Sequence, residues 1–541
     1  MKKWIILVAL LLLAVPVMAQ DVIYQNDQFA VQLPAGWENT STDRLAQATD
    51  SLTGTTFYAL TALSVEDALS SLSIEVGDLI ETTSVQLLSG EWSQSTYVSG
   101  DILTVIWSQA VSMQTHLMIA VAPLSAAERL VPTIEATISS YQVIGRDNVH
   151  EAQEPFTYPK PNGAFGVGRV EYVWLDSERD EMYSTDGADK RELVVTVWYP
   201  TELTDVPNES TWVSPALASA YGGLLNLPPE RFTSIQVNVA LDAVLATHDA
   251  SFPIIVMSHG DGMLPALYTT YAEALASHGY VVFGIAHPYN AAVVVYPDGR
   301  IITALPEASA QPLDVRPDMT PLEIVEAIDR QGRLVAGMMA SDIRFVLNQI
   351  ELLNAHDARF KEALDLERIG VLGHSIGGAA AIEALLQDSR IAVAVNLDGT
   401  VFSDVVPIDG RGLMTIAIEY VGATIASDTE LAGMGLSREE FDQVIAITSR
   451  AEDLFRQSPS AYFVMIAGTD HMNFSDVGLL AGLVPSFNDA LGTIEPSYAL
   501  EITNAYVLAF FDQSLRGGHF DGFMLTEAHP ESTLIAREAG G

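Results

Sequence analysis

The sequence predicts an α/β protein, a mostly parallel sheet with crossover helices, preceded by a small α+β domain. Three observations carry this prediction. Beyond about residue 169, short β-rich apolar runs alternate with helical patterns, as they do where helices cover both faces of a parallel sheet. Residues 21–146 lack that alternation and read as strands closed by one helix. At Gly373-His374-Ser375-Ile376-Gly377 an apolar strand pattern runs into a tight turn and then into GGAAAIEALL, a helix rich in small residues.

The chain opens MKKWIILVALLLLAVPVMAQ, with Lys2 and Lys3 before an apolar run and Val17-Met18-Ala19 before Gln20. Residues 1–19 are expected to be a secretory signal peptide cut after Ala19. An uncleaved anchor fits less well, because the run is short for a bilayer span and contains Pro16. The protein is therefore expected to be secreted or extracytoplasmic, without stable membrane insertion. The absence of cysteine excludes disulfides, thiolate metal sites and cysteine nucleophiles. A net charge of −43 repels nucleic acid and anionic membranes, so neither is an expected partner.

Within residues 21–146, FAVQLPAGW alternates as a half-buried strand does, ILTVIWSQAV and THLMIAVAPL read as two further strands, and AAERLVPTIEATISSY has helical spacing. The LPAGW segment and closing helix faintly resemble the small domains of the photosystem II extrinsic-protein superfamily. No catalytic cluster lies here, so the domain is expected either to dock the protein at a surface or to stabilise it. Residues 147–168, rich in Pro and charge, read as a linker.

From residue 169 to 541 the elements come in order. RELVVTVWYP is a strand, FPIIVMSHG a strand entering a glycine loop, LYTTYAEALASHG a helix and YVVFGIAHP a strand. ASDIRFVLNQIELL is a helix, then RIGVLG, IAVAVNLDG and YFVMIAGTDH are strands, and ALEITNAYVLAFFDQSL is a last helix before a polar tail. Residues of about 400–460 interrupt the alternation. They contain Ser437-Arg438-Glu439-Glu440, a capping-box pattern, and read as an insert that is either a lid or a surface excursion.

G-x-S-x-G between strand and helix is the pattern of a nucleophile elbow, which exposes a serine hydroxyl and directs helix N–H groups at an oxygen beside it. Ser375 is the expected nucleophile. A serine hydroxyl is weak near neutral pH and needs a histidine base, itself oriented by an acid. Three histidines follow Ser375. His471 comes just after a strand pattern, in GTDHMNFSD, whereas His519 and His529 lie in the tail, so His471 is the expected base. Asp398 ends the strand after the nucleophile's helix and is the expected acid, with Asp453, Asp470 and Asp476 as competitors. The oxyanion hole is expected from the N–H groups of Ile376 and of Asp261, the latter in Ser258-His259-Gly260-Asp261-Gly262. An acidic side chain there must point away or pair. His259 and His374 are expected to support their loops rather than act on substrate.

SHGDG with LYTTYAEALASHGYVVFGIAHP, GHSIGGAAA, NLDG and DHMNFSD together resemble plasma-type platelet-activating-factor acetylhydrolases, from about Phe165 to Gly517 with the insert departing. The resemblance implies an α/β-hydrolase fold, the triad Ser375, Asp398 and His471, oxyanion donors Asp261 and Ile376, and release of short or oxidised acyl groups from phospholipids without a metal. The expected substrate is a small-molecule or lipid ester, and serine ester chemistry needs no cofactor. Two other enzyme readings of the fold stay open, a peptidase and a polyester hydrolase. A third reading is a non-catalytic surface-binding protein.

Overall fold

The computed structural model describes residues 22–143 and 156–537, less short stretches of which the longest are 205–209, 419–430 and 432–435. The expected signal peptide and the expected linker up to residue 155 lie outside the described residues, while the linker from residue 156 to 168 is described. The chain divides into two compact units, parting between Gln153 and Glu154.

The first unit holds β1 (Val22–Gln25), β2 (Phe29–Leu33), β3 (Glu38–Asn39), β4 (Leu45–Asp50), β5 (Thr55–Ala62), α1 (Val65–Leu72), β6 (Asp78–Leu87), β7 (Gly90–Ser99), β8 (Ile102–Val111), β9 (Gln114–Pro123), α2 (Leu124–Ser139) and β10 (Gln142–Val143). Seven strands form an antiparallel sheet in the order β3-β4-β5-β9-β8-β7-β6, and β1-β2-β10 form a small second one. Alternation sorts β9 between two cores. Met118 and Ala120 pack with Phe29, Trp107 and Tyr141 on one face, and Leu117 and Ile119 pack with Ile106 and Ala68 on the other.

The second unit holds β11 (Gly166–Asp180), β12 (Lys190–Thr201), β13 (Val239–Leu241), β14 (Phe252–Ser258), α3 (Thr269–Ser277), β15 (Val281–Ala286), β16 (Val293–Val295), β17 (Ile301–Thr303), α4 (Pro321–His356) and β18 (Leu364–His374). It continues with α5 (Ile376–Gln387), β19 (Ile391–Leu397), β20 (Gly412–Ile418), α6 (Arg438–Thr448), α7 (Arg450–Gln457), β21 (Ala461–Ile466), α8 (Pro496–Arg516) and β22 (Ser532–Arg537). Ten strands form one sheet in the order β13-β11-β12-β15-β14-β18-β19-β20-β21-β22. From β15 to β21 all neighbours are parallel, while β12 joins β15, and β22 joins β21, in antiparallel register. This is the α/β-hydrolase architecture.

Helices cover both faces, which is why the central strands read as unbroken apolar runs. Ile255 and Met257 of β14 face a core shared with α3 and α8, while Ile254 and Val256 face one shared with α4 and α5. The carboxyl ends of β14, β18, β19 and β21 therefore lie along one edge of the sheet, where parallel α/β sheets place their ligand loops.

Three elements differ from the sequence expectation. The interrupting segment carries β20, fully within the sheet between β19 and β21, so the excursion is shorter than residues 400–460. Its helix α6 packs Val444 and Ile447 against Leu322 and Val325 of α4. The polar tail ends in β22, an antiparallel edge strand. Helix α4 starts at Pro321, behind a Thr320–Glu323 capping box, well before the periodic run ASDIRFVLNQIELL.

Candidate active site

Ser375 stands between β18 and α5 at φ +55°, ψ −125°, a left-sided conformation that a residue with a Cβ adopts only under constraint. The constraint is visible. Its N–H donates to Leu397 O at 2.9 Å, and α5 follows at once with nine of its twelve residues buried against the sheet. A Cβ on Gly373 would lie 2.0 Å from Gly377 O, and one on Gly377 would lie 2.4 Å from Ser258 O, so both flanking positions need glycine.

The three residues expected as a triad meet. His471 Nε2 lies 2.9 Å from Ser375 Oγ, and His471 Nδ1 lies 2.7 Å from Asp398 Oδ2. Because the carboxylate only accepts, Nδ1 carries the proton and Nε2 is free to take one from the serine. Burial alone would pull the His471 pKa down. The hydrogen bond and charge of Asp398, with the charge of Asp470, outweigh it and hold the pKa above the usual histidine value. Asp398, at φ +51°, is held by its N–H to Ile416 O at 2.7 Å and by the Ile418 N–H to its Oδ1 at 3.3 Å. Neither His519 nor Asp453 takes part. Asp470 instead caps the turn His471–Phe474, and Asp476 Oδ2 accepts from Thr270 N at 3.1 Å, tying the loop of His471 to the start of α3.

The turn after β14 has one N–H to spare. Gly260 N–H donates to Tyr268 Oη, Gly262 N–H to Asn290 O and Met263 N–H to Gly260 O, which leaves the Asp261 N–H without an acceptor among the described residues. The Ile376 N–H, first of α5, is likewise beyond the reach of intrahelical bonding. The Asp261 carboxylate pairs away from this turn. It accepts from Asn290 Nδ2 at 2.7 Å, Ser309 Oγ at 2.6 Å and Ala310 N at 2.9 Å, while burial pushes its pKa up.

His259 and His374 are both buried and support loops as expected. His259 Nδ1 donates to Gly260 O at 2.7 Å and its Nε2 accepts from His287 N at 3.1 Å, with burial and the His287 ring bringing its pKa down to about 3. His374 bridges Tyr268 Oη at 2.8 Å and His471 O at 3.0 Å, and burial, then the neighbouring His471 ring, holds its pKa well below the ordinary value.

Four residues escaped the sequence reading. Asn396 donates to Gly399 O at 2.8 Å and accepts from Gly399 N at 2.9 Å, clamping the turn that presents Asp398. Its signal was a polar residue closing an apolar run. Tyr268 joins two loops but reads as core. His287 and Asp342 complete a second array: His287 Nε2 is 2.8 Å from Ser258 Oγ and its Nδ1 2.8 Å from Asp342 Oδ2. Asp342 also holds Arg191 through two contacts, and this array is sealed, with Ser258, His287 and Asp342 all at zero exposure. Its outward sign was an acid, Asp342, in the otherwise apolar stripe of α4. Among the described residues no cluster of His, Asp or Glu forms a metal-binding group, and no helix is long and apolar enough to cross a membrane.

Comparison with known proteins gives concordant results. The family described as platelet-activating factor acetylhydrolase, isoform II, matches residues 151–304 and 321–523. A platelet-activating factor acetylhydrolase of Cavia porcellus is 21% identical over 379 residues, covering 66% of this chain and 78% of the relative. A probable 1-alkyl-2-acetylglycerophosphocholine esterase of Arthroderma benhamiae is 25% identical over 266 residues, 46% of this chain and 61% of the relative. Among solved structures, a ferulic acid esterase from Streptomyces cinnamoneus superposes with a TM-score of 0.52 at 27% identity, over 70% of this chain and 99% of that one.

Proposed function

The chain belongs to the platelet-activating factor acetylhydrolase, isoform II, family and is a carboxylic ester hydrolase, and from that premise we propose that it is an exported serine esterase releasing short acyl groups, phospholipid-derived ones included, through an acyl-Ser375 intermediate. The observation that carries the reading is the hydrogen-bonded chain Ser375–His471–Asp398 at 2.9 and 2.7 Å.

In this reading His471 Nε2 takes the Ser375 proton as Oγ bonds to the ester carbonyl carbon. The carbonyl oxygen becomes an oxyanion and is met by the N–H groups of Asp261 and Ile376, aided by the positive end of α5. As the tetrahedral intermediate collapses, the ester C–O bond breaks and His471 gives its proton to the departing alcohol. Water then loses a proton to His471, attacks the acyl carbon, and the acid leaves with Ser375 restored. Asp398 keeps the Nδ1 proton in place throughout and stabilises the imidazolium. Lys2, Lys3 and the apolar run ahead of Ala19 support export by a cleaved leader.

The likeness to a ferulic acid esterase favours aromatic acyl esters as a second substrate class. The test is hydrolysis of nitrophenyl acetate, butyrate and palmitate and of methyl ferulate, beside Ser375→Ala. We expect turnover concentrated on acetate and butyrate and a loss of about 10⁴-fold or more in the variant. Preference for methyl ferulate would replace the substrate class. A folded protein inert on all four, or a fully active Ser375→Ala, would overturn the reading.

A further inference from the structure

We infer that Tyr268 and His374 form an ordered hydrogen-bond relay fixing the oxyanion loop against the base loop, with Tyr268 as a positioning residue. The inference rests on the esterase reading above.

The direction of every bond follows from its chemistry. His471 O can only accept, so His374 Nε2, 3.0 Å away, carries the proton. In a neutral ring that leaves His374 Nδ1 as an acceptor. Gly260 N–H can only donate, so Tyr268 Oη accepts it at 2.9 Å and keeps its own proton to give. Within reach of that proton are His374 Nδ1 at 2.8 Å and Met263 Sδ at 2.9 Å, and the imidazole nitrogen is the stronger acceptor. The chain therefore runs Gly260 N–H to Tyr268 O–H to His374 and on to the carbonyl of His471. Tyr268 is 2% exposed and His374 1%, so water does not replace either partner. The His374 ring also lies against that of His471, with centroids 4.7 Å apart.

The relay holds one side of Gly260, and His259 holds the other. Gly260 has its N–H held by Tyr268 and its carbonyl held by His259 Nδ1 at 2.7 Å. A trans peptide points its N–H opposite its carbonyl, so anchoring Gly260 O aims the Asp261 N–H the other way. The same relay ends on the backbone of the base, so proton acceptor and oxyanion donor are placed relative to each other by one continuous set of bonds. Misplacement of this kind costs rate in the transition state far more than it costs substrate binding.

The experiment compares parent, Tyr268→Phe and Ser375→Ala with nitrophenyl butyrate, and measures inhibition by a short-chain trifluoromethyl ketone, which Ser375 converts to a hemiketal oxyanion. For Tyr268→Phe we expect kcat to fall about 10- to 100-fold with KM within about twofold, and inhibitor affinity to weaken in step with kcat/KM. A folded Tyr268→Phe with kcat within about twofold of the parent overturns the relay alone. A parent inert on the ester overturns the esterase reading itself. Where Tyr268→Phe does not fold, His374 decides. The relay requires His374→Gln, which keeps a donor for His471 O, to outpace His374→Ala at similar KM, and equal rates in the two overturn it.

Discussion

Two of the three residues proposed as the triad sit in backbone conformations that side chains avoid, Ser375 at φ +55° and Asp398 at φ +51°. Each costs on the order of 1–3 kcal/mol and persists only where neighbours over-determine it. Here the buried Asn396 clamp and the Leu397 and Ile416 carbonyls do so. Asp398 also sets the chemistry of its partner. An active base must be unprotonated, and His471 is held above the ordinary 6.5, so kcat/KM is expected to rise with pH through a midpoint above that value. Asp398→Asn removes the charge that raises it. Its profile, measured from about pH 5 to 9, should shift to a lower midpoint and lose about 10⁴-fold in plateau rate. An unmoved midpoint would remove Asp398 from the pair. At this scale the sequence was informative where chemistry and position coincide: Ser375, Asp398 and His471 each follow a strand pattern. It was silent on Tyr268, since an aromatic at helical spacing gives the same pattern whether its hydroxyl is idle or bonded.

Buried carboxyls tie helix α3 to the loop of His471 on one side and to Asn238, just ahead of β13, on the other. Asp476, fully buried, accepts from the second residue of α3, and Glu273 on the same helix takes the N–H and amide of Asn238. Burial pushes both pKa values to about 7, from ordinary values of 3.8 and 4.5. Between about pH 4 and 7 the folded state therefore holds protons that the unfolded state has released, so stability falls as pH rises through that window. Asp476→Asn keeps an oxygen for Thr270 and does not titrate there. Melting temperatures from about pH 5 to 8 should decline less steeply in this variant than in the parent, and parallel declines would exclude Asp476 as a source. Helices were legible in their periodic middles. The start of α4 was missed because its capping-box signature, Thr320-Pro321-Leu322-Glu323, precedes a stretch of mixed polarity. Strand β20 was missed because it lay inside what looked like one long interruption.

Over the whole molecule, the parallel centre of the large sheet was legible and its margins were not. Strands β14 and β19 and the second half of β18, from Ile369, are buried on both faces and spell near-continuous apolar runs, whereas most of β11 beyond Gly168 and most of β22 are half-covered or open and mix with charge. The same enclosure separates two arrays of like geometry. Ser375 and Ser258 each face a histidine backed by an aspartate, yet only the first meets solvent, because Ser258 is closed in between β14, β15 and α4. A fluorophosphonate should therefore titrate the native protein at one equivalent per chain, all of it on Ser375 by peptide mapping. Any slower second equivalent on Ser258 would count the moments when the sheet and its longest helix part, so one reagent reads both the concentration of competent enzyme and the local opening of its core.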